Sequence, residues 1–122
     1  MASYANANFK PAQYNIQIWK NDTWNNTFTL LNQTTPISLV GAVVEIQIRK
    51  TAKSSDSLAT LTIGDGITIS GASNNVINVS YNVDIDSGSY VYDMAIEFSD
   101  GTEKTYIWGT FLVFEDVTKI SN

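Results

Sequence analysis

The carboxylates whose spacing could do chemistry are Asp84 with Asp86, one residue apart, and Asp93 with Glu97, on one face of an alternating run. Two such groups across a glycosidic bond could act as acid and base. Asp84-x-Asp86-x-Gly88 also partly resembles a calcium loop, in which carboxylates on a tight turn converge on a hard cation, but it lacks the downstream bidentate Glu. Both carboxylates flank a turn, so a solvated acidic turn is the simpler reading. With 0 His and 0 Cys, the chain holds no Ser-His-Asp or Cys-His nucleophile pair and no histidine or thiolate metal site. No catalytic residue, cofactor site or metal site is assigned, and the chain is expected not to be an enzyme.

The aromatic residues are the other group that could act. Trp19, Trp24 and Trp108 could stack on sugar rings or pack in a core. Trp24 runs in phase with Phe28 and Leu30 and reads as core, whereas Trp19 lies opposite Ile16 and Ile18 beside a turn and reads as exposed. The candidate protein contacts are Tyr4 and Phe9 in the N-terminal stretch, Trp19, and Tyr106 and Trp108 on a strand that is apolar on both faces. A strand of that kind needs something over its second face, either its own loops or another subunit.

The elements that must position these groups are strands. Tyr14, Ile16 and Ile18 alternate with Asn15, Gln17 and Trp19, the period of a half-buried strand. Trp24 to Leu31 continues the pattern, with Asn26 interrupting the apolar row. Val44, Ile46 and Ile48 alternate with Glu45, Gln47 and Arg49, one face buried and the other wet. Leu58 to Ile63 places Leu61 and Ile63 inward; Ile67 with Ile69, then Ile77 with Val79 and Tyr81, carry two further strands. Ser89 to Phe98 and Glu103 to Phe114 are joined through Asp100-Gly101, a strong hairpin signal. Seven or eight short strands without helical periodicity predict an antiparallel all-β sandwich. Residues 1–13 read as an extended N-terminal arm, 14–118 as the sandwich and 119–122 as a C-terminal tail.

A length of 122 residues fits one domain, and 43% hydrophobic with 16% charged residues is enough to build its core. The net charge of −5 and the 7 scattered Lys and Arg argue against nucleic acid as a partner. No export signal and no run long enough to span a bilayer is visible, so no membrane partner is expected.

In order along the chain stand Pro36-Ile37-Ser38-Leu39-Val40-Gly41-Ala42 leading into Val44–Arg49, then Gly66-Ile67-Thr68-Ile69, Gly88-Ser89-Tyr90-Val91-Tyr92-Asp93-Met94, Asp100-Gly101, Gly109-Thr110-Phe111 and Asp116-Val117-Thr118. This succession, over roughly Ile16 to Thr118, resembles the immunoglobulin-like β-sandwich domains of bacteriophage virion proteins, such as the N-terminal domain of baseplate upper proteins. The resemblance implies a non-enzymatic structural subunit of the particle: a tail or baseplate adaptor, a plug or an accessory protein. Such a subunit would be assembled in the bacterial cytoplasm, reside in the virion in multiple symmetric copies, and dock to other phage structural proteins through its arm and sheet edges. The chain stops near the end of the sandwich, without the linker helix and receptor-binding part that follow in baseplate upper proteins. A carbohydrate-binding module for host surface glycans and a capsid decoration protein are the alternatives.

Overall fold

The computed structural model describes residues 11–118; the arm candidates Tyr4 and Phe9 and the tail lie outside the described residues. Every regular element among the described residues is a strand: β1 (Ala12–Gln13), β2 (Ile16–Trp19), β3 (Thr23–Thr29), β4 (Leu31–Asn32), β5 (Thr35–Pro36), β6 (Val43–Arg49), β7 (Ala59–Ile63), β8 (Gly66–Ser70), β9 (Val76–Asn82), β10 (Gly88–Glu97) and β11 (Glu103–Phe114). β-Branched and aromatic residues at every second position drive this, because their side chains fill one face of the pleat while Asn, Thr and Ser face water.

Nine strands form one curled sheet in the order β1-β11-β10-β6-β7-β8-β9-β3, with β2 also on β11; β4 and β5 make a separate small hairpin. The sheet turns over between β7 and β8, where Gly64 and Gly66 take φ of 93° and 97° and Thr62 N–H donates to Asp65 O. A residue with a Cβ is strained there, so glycine lets the chain turn the corner. The overturn brings β3 across from β10 and β11. The Trp24 ring meets those of Tyr92 and Phe111 edge-on, with centroids 5.6 and 5.2 Å away. Between the layers Val44, Ile46, Ile48, Leu61, Ile67, Ile77, Val79, Met94, Ile96 and Phe111 are shut off from solvent.

The front layer thus holds β6, β10 and β11, and the back layer β3, β9 and β8, as in an immunoglobulin sandwich. Two further marks agree. The Tyr90 hydroxyl, at the start of β10, donates back to the Asp86 carbonyl at 2.6 Å, forming a tyrosine corner. Tyr92 stands two residues further on, where antibody domains carry a disulfide cysteine, and the Trp24–Tyr92 ring contact joins the layers instead. The all-β, immunoglobulin-like sandwich expected from the sequence is the fold.

Its pairing departs from the wholly antiparallel expectation in three places: β1 and β2 run parallel to β11, and β8 runs parallel to β7. The last two arm residues, Ala12 and Gln13, are therefore part of the sheet, beside Ile107 and Trp108. Ile63, expected inward, is exposed, because β7 ends there as the chain leaves the front layer. The apolar anchors Ile37 and Leu39 are buried as a connector across the core edge requires. Asn26 does interrupt the apolar row of β3, and its carbonyl oxygen accepts the Trp24 indole N–H while its amide donates to the Tyr14 hydroxyl at 3.2 Å. Asn75, part of a polar turn cluster in the sequence, is buried and ties the end of β3: its amide donates to Leu30 O at 3.1 Å, and Leu30 N–H donates to its carbonyl.

Candidate docking surface

The outward side of the front layer is assembled by register. On β10, Asp93 is paired with Trp108 of β11 on one side and with Gln47 of β6 on the other, so the three side chains stand in one row across the sheet. Val91 is likewise flanked by Thr110 and Arg49, and Phe114 of β11 by Trp19 of β2. Trp19 and Trp108 are 49% and 44% exposed, high for indoles, and Trp19 leans on Phe114 with ring centroids 5.2 Å apart.

The face has two halves. Toward the Trp19 end it is aromatic and aliphatic, built from Trp19, Leu112, Phe114 and Trp108. Toward the β10–β11 hairpin it is acidic: Glu97 stands directly opposite Glu103, and Glu45 and Asp93 lie on the same side. Between them is a hollow of about 330 Å³ bordered by Gln47, Arg49, Val91, Asp93 and Trp108; a second hollow, of about 370 Å³, continues from Gln47 and Asp93 into the acidic half.

The side chains of β6 hold one another along the strand. The Arg49 guanidinium donates to Gln47 Oε1 and to Ser54 O at 2.7 Å, and Gln47 donates on to Glu45 Oε2. This leaves Arg49 near Asp93 but bonded elsewhere. Partial burial raises the Asp93 pKa above the usual carboxylate value, and the Arg49 charge offsets this only in part.

The other sequence candidates fall elsewhere. Tyr106 is the extra residue of a bulge, where Met94 pairs with Ile107 and Ala95 with Thr105. The bulge breaks the alternation of β11 and turns Tyr106 away from the Trp108 face, so that it packs on the core edge against the Phe98 ring at 6.2 Å. Asp84 and Asp86 straddle buried Ile85, and the exposed Asp86 carboxylate pairs with Lys20 at 3.0 Å. Asp93 and Glu97 lie on the outer face separated by Ala95. Among the described residues no three His, Cys, Asp or Glu gather as a metal site.

Sequence reasoning placed Trp19 and Trp108 as contacts but did not join Gln47, Arg49 and Asp93 to them. The alternation of β6 and β10 marks these polar residues as outward, yet only strand order makes them neighbours.

No protein-family model matches the chain, and no curated protein matches it. Solved structures with similar folds are immunoglobulin domains. The Dpr1 IG1 domain in complex with DIP-eta IG1 is 16% identical, with 85% of this chain and 90% of that one covered and a TM-score of 0.45. The ZIG-8 IG1 homodimer is 15% identical, with 87% and 83% covered and a TM-score of 0.41. Extracellular domains 3–5 of Drosophila OTK are 15% identical, with 84% of this chain but 32% of that one covered and a TM-score of 0.35.

Proposed function

We propose that this chain is a non-enzymatic docking subunit that binds other proteins through the outward face of β2, β11, β10 and β6. The observation that carries this reading is the Trp19–Phe114 ring pair on the outward face of β2 and β11, with the half-exposed indole of Trp108 further along the same face of β11. Large aromatics next to a polar rim are what protein interfaces bury. The more specific reading is a subunit of a bacteriophage particle, a tail or baseplate adaptor, plug or accessory protein located in the virion in symmetric copies. Its support is the sequence resemblance, together with a sandwich whose N-terminal strand already lies along the sheet edge.

A saccharide-binding reading has Trp108 beside the polar hollow in its favour. Against it, Trp19 and Trp108 lie roughly 20 Å apart along the strand direction, at about 3.4 Å per residue, and form no common platform.

A photo-crosslinking residue at Thr110, exposed on the face, tests the docking reading, with one at Thr68, exposed on β8, as the control. In cells that make the chain with its natural complement, Thr110 is expected to give one discrete heavier conjugate and Thr68 none. Equal conjugation at both positions, or none at Thr110, overturns the reading.

A further inference from the structure

We propose that the partner presents a basic surface, with a lysine or arginine side chain entering the hollow between Trp108 and Asp93; this rests on the docking reading above. Three observations select that occupant.

First, the Asp93 carboxylate borders both hollows and receives no hydrogen bond or ion pair among the described residues, while Arg49, which lines the same hollow, is bonded to Gln47 and Ser54. An incoming ammonium or guanidinium supplies the charge-assisted bond that this carboxylate lacks, and the indole of Trp108 next to it offers a cation–π contact to the same group. Second, Glu97 and Glu103 oppose each other directly across β10 and β11. Like charges so placed destabilise the free sheet, and a cation from a partner relieves them. Third, the face carries four carboxylates, Glu45, Asp93, Glu97 and Glu103, against the single guanidinium of Arg49. A second copy of the chain would bring the same negative field against itself, and a neutral saccharide would leave these charges unbalanced.

The experiment titrates a hexalysine peptide into the isotope-labelled full chain at low salt, following amide and indole N–H resonances. The expected result is that the largest shifts fall on the Trp108 indole and on the Asp93 and Gln47 amides. Asp93→Asn should weaken binding about tenfold, as loss of one charge-assisted contact does, and 0.5 M salt, which shortens the screening length about sevenfold from that at 0.01 M, should remove it. Hexaglutamate serves as the like-charged control. The proposal is overturned if hexalysine instead moves the Asp84, Asp86 and Asp116 end of the molecule, or if Asp93→Asn has no effect. It is also overturned if maltohexaose, or raising the concentration of the chain alone, moves the Trp108 resonances more than hexalysine does. A conjugate from Thr110 without a hexalysine response removes the cationic partner and leaves the docking reading standing; loss of both removes both.

Discussion

A Cβ added to Gly109 would stand 2.3 Å from the Tyr14 carbonyl oxygen. Here the N-terminal chain steps from β1 to β2 while staying on β11: Tyr14 N–H donates to Trp108 O at 2.8 Å, and the Asn15 side chain accepts the Thr110 N–H at 3.1 Å. Glycine at position 109 is what allows one backbone to lie this close to another. Gly109→Ala is therefore expected to cost about 1–3 kcal/mol by forcing the two apart. Hydrogen exchange checks it, since protection should fall first at Tyr14 and Thr110; unchanged protection at both would contradict the packing described.

The tyrosine corner makes a milder prediction. Tyr90→Phe keeps the ring in the core and removes only the hydroxyl that donates to Asp86 O. One intramolecular hydrogen bond contributes about 1 kcal/mol net. Denaturant unfolding should show a loss of that size with the slope unchanged. A loss several times larger would mean that the corner orders the whole β9–β10 connection.

Between the two layers the aromatic contact substitutes for a covalent link. Trp24 is buried against Tyr92 and Phe111, with its indole N–H satisfied by Asn26. Trp24→Ala leaves a large cavity at the centre and should destabilise by about 3–5 kcal/mol, a large share of the roughly 5–15 kcal/mol that holds an ordinary domain folded. Trp24→Phe, which keeps a ring but loses the N–H to Asn26, should cost less. If both variants melt together with the parent chain, the layers are held elsewhere.

How far these relationships were legible in the sequence differs by kind. The alternation of Val44, Ile46 and Ile48, or of Tyr90, Tyr92, Met94 and Ile96, is a local signal, and it marked the core correctly because a strand's faces follow from period two alone. Exposure of Trp19 followed from the same rule. The placement of Tyr106 did not, because a single bulge between Met94 and Ala95 inverts the parity of β11 and leaves no composition cue. Asn75 looked like any turn residue, and its burial depends on the distant carbonyl of Leu30. The hollow was least legible of all. Asp93, Gln47 and Trp108 come from three strands, and their adjacency is a property of register, which no stretch of one strand encodes.

Asp93 gives the last prediction its sign. Burial raises its pKa in the folded chain above the ordinary value of 3.8, with Arg49 of β6 the charge that lowers it again. A carboxyl whose folded pKa is raised holds its proton more firmly in the folded chain than in the unfolded one. Ionising it then works against the fold, so its effect on stability is absent below the unfolded pKa and grows unfavourable as pH rises through the folded one. Asp93→Asn should therefore stabilise the isolated chain at neutral pH, and this gain should vanish near and below pH 4. The charged groups that face Asp93, namely Arg49, Glu45 and Glu97, are present in both chains, so the comparison isolates the one carboxyl that differs. Melting temperatures of the two chains between about pH 4 and 7 should converge on the acid side. A variant less stable than the parent at neutral pH, with the two again converging in acid, would reverse the sign and place the carboxylate in a favourable ion pair instead. Because the same substitution weakens hexalysine binding, a variant that is more stable but binds less is the joint signature of a charge kept for a partner at a cost to the free fold.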